Sequence, residues 1–224
     1  MPGRNIPLVT GEIYHIVNRG IASQPTFLNK RNYHRAIETL FYYQYINFPV
    51  KYSRFLSLST DLREQISKEL IRKKQHFIKI LAYCLMPNHF HLILEQYVDR
   101  GISKFMSNFT NSYTRYFNTR NERDGPLFKD KFKAIRIETD EQLLHVSRYI
   151  HLNPYTAYII KTLRELEDYP YSSFPEYIGK ISAEICSKDY ILGNFKDKSA
   201  YKKFVLDQAE YQRELGKIKH LILE

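Results

Sequence analysis

Apolar and polar residues alternate along four short stretches of the chain, and such alternation is typical of β-strands with one buried face. Two of these stretches, "HFIKILAYCLMPN" and "HFHLILEQ", meet at a Pro-Asn turn and therefore predict an antiparallel hairpin. In the last stretch basic residues interrupt the apolar ones, which predicts a strand with a solvated basic face. The predicted strands cover residues 12–20, 76–88, 89–96 and 131–138.

Elsewhere apolar residues recur every three or four positions, which predicts amphipathic helices. The longest follows Gly101 and extends for about five turns at 3.6 residues per turn. Thr139 and Gln142 match a capping box at the start of another helix, and Pro154 is predicted to end it. Two further helices are predicted at residues 32–47 and 60–75, the second as an inserted helix or as half of a hairpin extension.

The elements therefore follow the order strand, helix, strand, strand, helix, strand, helix. This order is that of the ferredoxin-like split βαβ pattern, an α+β fold whose antiparallel sheet has its helices on one face. We predict a catalytic domain over residues 1–155, with an insertion near residues 50–75. Residues 156–224 are predicted to form a helical accessory segment that packs on this core.

The 224 residues carry a net charge of +10, which favours a polyanionic partner, nucleic acid ahead of a membrane surface. No run of about 18 apolar residues occurs, and the start of the chain does not resemble a signal peptide, so we expect a soluble cytoplasmic protein without a membrane partner. Two cysteines are too few for a disulfide framework or a cysteine-based zinc site. Any metal ion must be held by His, Asn, Asp or Glu.

His89 and His91 lie one residue apart in a predicted strand. Residues two apart in a strand point to the same face, about 6.6 to 7 Å apart at the backbone, so both imidazoles could bind one metal ion. The alternative is a pair of partly exposed histidines on a sheet, because eight histidines in the chain make such a pair unsurprising.

The last predicted helix offers three polar side chains along one flank. His145, Tyr149 and Asn153 are spaced at i, i+4 and i+8. A carboxamide oxygen is a reasonable third ligand for Mg²⁺ or Mn²⁺, and imidazole suits Mn²⁺ better than Mg²⁺. The alternative is that Tyr149 is one of 19 tyrosines without special function and that Asn153 merely precedes a proline.

Attack by a tyrosine on a phosphodiester is the chemistry that would use His89, His91, Tyr149 and Asn153 together. A phenol with a pKa near 10 needs placement in line with the phosphorus and a cation that neutralises the phosphate oxygens. The covalent phosphotyrosine would conserve the bond energy for a later rejoining step.

Basic residues concentrate between Gly101 and Arg136, where eight of them face three acidic residues. Aromatic residues are interspersed among them, and this combination suits single-stranded nucleic acid, whose bases stack while its phosphates pair with cations. The predicted DNA-binding residues are Arg115, Arg120, Arg123, Lys129, Lys131, Lys133 and Arg136.

Five stretches of the chain resemble the HUH single-tyrosine transposases and, within them, the REP-associated tyrosine transposases. They are "YHIVNRG", "MPNHFH", "SYTRYFNTRNERDGPLFKDKFKAI", "YIHLNP" and "YPYSSFPEYIG", in this order over roughly residues 10–180. The resemblance implies a metal-dependent DNA transesterase acting on single-stranded DNA near hairpins. Tyr149 would be the nucleophile, His89, His91 and Asn153 the metal ligands, and His145 a possible supporting residue. In relatives the products are a 5′-phosphotyrosine and a free 3′-hydroxyl, and some members are homodimers that share the catalytic helix.

We therefore predict a DNA transposase or mobilising nuclease that cleaves and rejoins single strands containing REP-like hairpins with Mg²⁺ or Mn²⁺. Two alternatives keep the fold: a domesticated, non-catalytic binder of structured single-stranded DNA, and an HUH nuclease of replication initiation or plasmid transfer. An RNA-binding ferredoxin-like module is a third alternative, although the chain lacks the expected glycine-and-aromatic strand signature.

Overall fold

The computed structural model describes residues 7–182 and 185–222, with side chains described to residue 215. Residues 1–6, at the start of the predicted catalytic domain, and 183–184 and 223–224, in the predicted accessory segment, lie outside the described residues. The strands are β1 (Ile13–Arg19), β2 (Ile78–Met86), β3 (His89–Gln96) and β4 (Lys133–Ile137). The helices are α1 (Lys30–Tyr43), α2 (Tyr52–Phe55), α3 (Thr60–Lys73), α4 (Gly101–Arg120), α5 (Asp140–Thr156), α6 (Leu163–Glu167), α7 (Phe174–Tyr177), α8 (Asp189–Leu192), α9 (Lys198–Leu206) and α10 (Ala209–Ile222).

The four strands form one sheet in the order β2-β3-β1-β4, and every neighbouring pair is antiparallel. This is the ferredoxin-like arrangement that the element order predicts, with α1 and α4 as its two crossover helices. The predicted hairpin is confirmed as β2 and β3, and the region near residues 50–75 contains the helices α2 and α3. Among the described residues, no helix is long and apolar enough to span a membrane.

One face of the sheet is closed by α1 and α4. Phe90 and Leu92 of β3 are fully buried, and the Phe90 ring lies 5.3 Å from the ring of Phe109 on α4, centroid to centroid. The predicted apolar stripe of α4 is confirmed, because its buried residues are Ile102, Phe105, Met106, Phe109, Tyr113 and Phe117, with Tyr116 partly buried. Aromatic contacts of this kind make the face a dry core.

The opposite face of the sheet is covered by α5, so the prediction that helices lie on one face holds only for the crossover helices. Tyr149 of α5 contacts His91, whose side chain points away from Phe90 and α4. The physical reason is visible in β2, where every residue from Ile80 to Met86 is buried. A strand that is apolar on both sides requires cover on both faces.

The sequence predicts that Pro154 ends α5. In the structure, Pro154 instead lies inside the last turn of this helix. A proline lacks the amide hydrogen that would bond to the carbonyl four residues earlier, so α5 loses one backbone hydrogen bond there and continues to Thr156. Ala157 N then donates to Asn153 O at 2.9 Å, which closes the turn. The predicted start is confirmed, since the Thr139 side chain accepts a hydrogen bond from Gln142 N at 3.1 Å.

A buried polar network ties α5 to the segment that follows it. The two ring nitrogens of His151 contact Tyr201 Oη of α9 and Ser173 Oγ, each at 2.7 Å. Tyr201 Oη also donates to Ser147 Oγ at 3.1 Å, and Ser173 Oγ accepts a hydrogen bond from Tyr83 N of β2 at 3.0 Å. These bonds fix the rotation of α5 over the sheet, because each one satisfies a polar group that would otherwise be buried without a partner.

Candidate active site

The predicted histidine pair and the predicted tyrosine meet where α5 crosses the sheet. The ring centroids of His89 and His91 are 5.0 Å apart, and that of Tyr149 lies 5.6 Å from His91. A third histidine, His15 of β1, stacks on His91, with its Nε2 at 3.0 Å from His91 Nδ1. All four side chains come from one chain, so the cluster does not need a second copy to form.

Asn88 fixes the proton position on His89. Its Nδ2 donates to the carbonyl of Ser23 at 3.1 Å, which leaves Oδ1 facing His89 Nδ1 at 2.7 Å. An amide oxygen can only accept, so Nδ1 carries the imidazole proton and Nε2 keeps a free lone pair. A carbonyl partner on one nitrogen is the usual support of a histidine that binds a metal through the other.

The hydrogen bond between His15 and His91 fixes the proton position on His91 in the same way when His91 is the donor. One of the two nitrogens must carry a proton, and donation from His91 Nδ1 leaves His91 Nε2 free as a ligand atom. Burial lowers the pKa of His15 and of His89 to about 4, and lowers that of His91 well below 6.5, with a smaller contribution from the Arg19 guanidinium at His89 and His91. The imidazoles are therefore neutral near pH 7, the form that binds metal ions.

Asn153 contributes a buried carboxamide one helical turn after Tyr149. The residue is only 6% exposed, and its Nδ2 has no hydrogen-bond partner among the residues that the structure describes. Because the oxygen and nitrogen of an amide can exchange positions by rotation, this group could turn its oxygen toward a cation. Among the described residues, no three His, Cys, Asp or Glu side chains are placed to hold a metal ion, so a site here depends on the two imidazoles and this amide.

Tyr149 is partly open to solvent, with 36% of its surface exposed. Burial of the rest raises the pKa of its phenol above 10, while the nearby Asn153 amide and the Arg19 guanidinium act in the opposite direction. The phenol is therefore protonated at neutral pH in the free protein. An accessible hydroxyl beside neutral imidazoles is suited to nucleophilic attack once a substrate and a cation are present.

His145 is not brought to this cluster, contrary to its predicted supporting role. It is exposed, and its contacts are with Arg148 Nη2 at 2.6 Å, with Glu141 at 3.7 Å and with the ring of Phe204. Each i to i+4 step advances about 40° around a helix. The side chain of His145 therefore points about 40° away from the direction of Tyr149 and about 80° away from that of Asn153.

The predicted DNA-binding residues are divided between two sides of the molecule. Arg115, Arg120 and Arg123 line an open groove of about 1430 Å³ along α4, although Arg123 also bonds to Asn118 and to the Pro126 carbonyl. Lys133 lies on the histidine face, because it pairs with Val17, which in turn pairs with His91. Lys129 and Lys131, on the segment before β4, are exposed.

Arg136 points to the other face of the sheet and is engaged within the protein. It pairs with Tyr14 in the sheet register, and its guanidinium forms an ion pair with Glu12 at 2.6 Å. The structure therefore does not group Arg136 with the cations near the histidines.

Three residues at the site are not predicted from the sequence: His15 and Arg19 on β1, and Asn88 in the turn before β3. For His15 the sequence does contain an indication, because the alternation of residues in β1 places His15 and Val17 on one face of the strand. What the sequence did not contain was the pairing of β1 with β3, which sets Arg19 opposite His89 and Val17 opposite His91.

A ferredoxin-like sheet that presents a histidine pair to a tyrosine on the helix after its last strand is the architecture of the single-tyrosine HUH class. The family model described as "Transposase IS200 like" matches residues 38–153, slightly more than half of the chain. The chain belongs to this family of IS200-like transposases, which confirms the family resemblance.

Solved structures give an independent comparison of the fold. The chain is similar to a REP-associated tyrosine transposase bound to a REP hairpin, with a TM-score of 0.54 and 15% identity, over 80% of this chain and 87% of that chain. At this identity the similarity concerns the fold. No curated protein matches the chain.

Proposed function

We propose that this transposase cleaves and rejoins single-stranded, hairpin-containing DNA, with REP-like palindromes as substrates, through a covalent bond to Tyr149. The observation that carries the proposal is the position of the Tyr149 ring, 5.6 Å from His91 and 6.3 Å from His15 in the same chain. Membership of the IS200-like family and the REP hairpin bound to the structural neighbour support the substrate class.

In the proposed reaction the oxygen of Tyr149 attacks a phosphorus atom of the strand. The new bond joins Tyr149 Oη to phosphorus and the phenol loses its proton, while the bond to the 3′ oxygen breaks and that oxygen takes up a proton. The products are a 5′-phosphotyrosine and a free 3′-hydroxyl. In rejoining, a 3′-hydroxyl attacks the same phosphorus and the tyrosine leaves with its proton restored.

His89, His91 and Asn153 would hold a divalent cation, with Mn²⁺ or Mg²⁺ as the candidates. The donor set fits, since two neutral imidazoles are oriented by Asn88 and His15, and Asn153 offers a buried amide beside Tyr149. When bound, the cation supplies positive charge to the phosphate oxygens during the reaction. His145 is left out of this ligand set, because its contacts lie elsewhere.

The single-stranded DNA would follow the basic residues Lys129, Lys131 and Lys133 to Tyr149. The groove that contains Arg115 and Arg120 could hold a further part of the DNA hairpin. All the site residues lie in one chain, so the proposal does not require the homodimer found in some relatives. We propose that the protein acts in the cytoplasm, where it would encounter cellular single-stranded DNA.

The test is formation of a covalent adduct. The purified protein is incubated with hairpin-bearing single-stranded DNA and Mn²⁺ or Mg²⁺, and the mixture is separated on a denaturing gel. We expect an adduct that is lost in Tyr149→Phe and with EDTA, and retained in Tyr158→Phe, which alters an exposed tyrosine just after the same helix. If no structured strand yields an adduct, or if Tyr149→Phe still forms it, the proposed mechanism is wrong. Hairpin binding without any adduct would favour the non-catalytic binder.

A further inference from the structure

Arg19 is the last residue of β1 and stands at the edge of the histidine cluster. It pairs directly with His89, and its side chain therefore shares the face of His89 and His91. Its backbone is held from three directions: its N–H donates to Asn18 Oδ1 at 2.8 Å, its carbonyl accepts from Lys129 N at 2.8 Å, and it is paired with β3. The starting point of the side chain is thus fixed with respect to the histidines.

Gly20 ends the strand immediately after Arg19. A Cβ atom at this position would lie 2.3 Å from the carbonyl oxygen of Gln24 and 2.9 Å from Thr26 Cγ2, so the backbone can turn this tightly only with glycine. This turn directs the residues after Gly20 away from the side chain of Arg19. The side chain consequently remains exposed at the rim of the site.

The guanidinium of Arg19 has no hydrogen bond or ion pair with any residue that the structure describes. Its positive charge lies on the same face of the sheet as His89 and His91, because Arg19 pairs with His89 and alternation along β3 places His91 on that face. A guanidinium beside the proposed metal-binding histidine pair repels the metal ion, and an anion that lies near both relieves this repulsion. A phosphate group satisfies this requirement, and guanidinium groups bind phosphate oxygens through two parallel hydrogen bonds.

We propose that Arg19 is a catalytic residue that binds a non-bridging oxygen of the phosphate attacked by Tyr149. The proposal rests on the function proposed for the site and adds a direct protein contact to the scissile group. Arg19 would hold the phosphate in line with the phenol and stabilise the charge that develops on its oxygens.

The first test measures DNA binding without cleavage. In the Tyr149→Phe background and without metal, the affinity for hairpin-bearing single-stranded DNA is measured against salt concentration. Loss of one phosphate contact lowers the slope of the logarithmic plot by about 0.7 for a single strand. We expect this decrease in Arg19→Gln but not in Arg72→Gln, which removes an exposed arginine on α3. An unchanged slope in Arg19→Gln would overturn the proposal, whether or not the wild-type protein forms an adduct.

The second test separates phosphate binding from a structural role. Affinity for Mn²⁺ is measured by calorimetry without DNA, and the rate of adduct formation is measured with saturating DNA. For Arg19→Gln we expect Mn²⁺ binding that is unchanged or tighter and adduct formation reduced at least 100-fold, with partial rescue in Arg19→Lys. Parallel loss of Mn²⁺ binding and adduct formation would show that Arg19 merely maintains the site, and would refute the phosphate contact.

Discussion

Phe90 and His91 are consecutive residues of one strand, yet they belong to different parts of the molecule. Phe90 is packed against Phe109 and Phe128 beneath α4, whereas His91 meets His15 and Tyr149 beneath α5. The first face contains apolar and aromatic side chains that stabilise the fold. The second presents groups that can bind a cation or attack a phosphate. Alternation along the strand therefore separates stability from chemistry within one element.

The two faces also differ in how their helices are held. The contact of α4 with the sheet is mainly apolar, although Tyr113 Oη also donates to the Thr26 carbonyl at 2.7 Å and Ile102 N donates to Gln96 Oε1 at 3.1 Å. By contrast, α5 is anchored by the network of His151, Tyr201 and Ser173, in which each bond has a direction. The proposed nucleophile Tyr149, two residues before His151, would gain from this arrangement, because the network determines which flank of α5 faces the histidines.

The largest expected effect lies on the apolar face. Phe90→Ala should lower the free energy of unfolding by about 3 to 5 kcal/mol, because it leaves a cavity beneath α4. Urea denaturation gives this value, and Mn²⁺ binding by the folded fraction should be retained. The matched variant His91→Ala should lose Mn²⁺ binding at a smaller cost in stability. Equal destabilisation by both variants, or loss of Mn²⁺ binding in folded Phe90→Ala, would contradict the separation of the two faces.

The anchor of α5 gives the next largest effect. Tyr201→Phe removes the hydroxyl that contacts His151 Nδ1 and Ser147 Oγ, and should lower the free energy of unfolding by about 1 to 3 kcal/mol, since buried polar atoms lose their partner. Tyr211→Phe, at a tyrosine that is 64% exposed, should leave the urea midpoint unchanged. A Tyr201→Phe protein as stable as the wild type would mean that the network does not hold the helix.

Support of the histidines should appear in metal affinity more than in stability. Asn88→Ala removes the carbonyl that fixes the His89 tautomer, and we expect Mn²⁺ affinity to fall about 10- to 100-fold. Calorimetry measures the affinity, and ¹⁵N NMR of the imidazole reports the proton position on His89 without metal. Asn194→Ala, at an exposed asparagine, is the control. If Nδ1 of His89 stays fully protonated in Asn88→Ala, the assigned role of Asn88 is wrong.

The contrast between the faces also explains what could be predicted from the sequence. Strands, the apolar stripe of α4 and the shared face of His89 and His91 depend on local periodicity, and all three predictions are confirmed. The contributions of His15 and Arg19 depend on the register between β1 and β3, which are separated by about 70 residues of chain. Local pattern does not specify such a register.

The prediction that all helices lie on one face of the sheet is wrong for α5 for a related reason. The ferredoxin-like pattern accounts for α1 and α4, but it contains no helix after the last strand, and the face that this helix covers depends on which side of the sheet is still uncovered. The continuous apolar run of β2 was the available clue, because it indicates burial on both faces. His145 was included in the site because the helical spacing was extended over two full turns, during which the direction drifts.

The smallest expected effect distinguishes the two faces at the edge strand β4. Lys133 lies on the histidine face, in the same row as Val17 and His91, whereas Arg136 lies on the face of Tyr14 and is paired with Glu12. In the Tyr149→Phe background, Lys133→Gln should lower the slope of affinity against salt by about 0.7, and Arg136→Gln should leave it unchanged. The two substitutions remove the same charge three residues apart, so their net effect on the long-range field is similar. A difference between their slopes would therefore come from direct contact of Lys133 with the DNA strand. Equal slopes would mean that DNA approaches the edge of the sheet without preference for the histidine face.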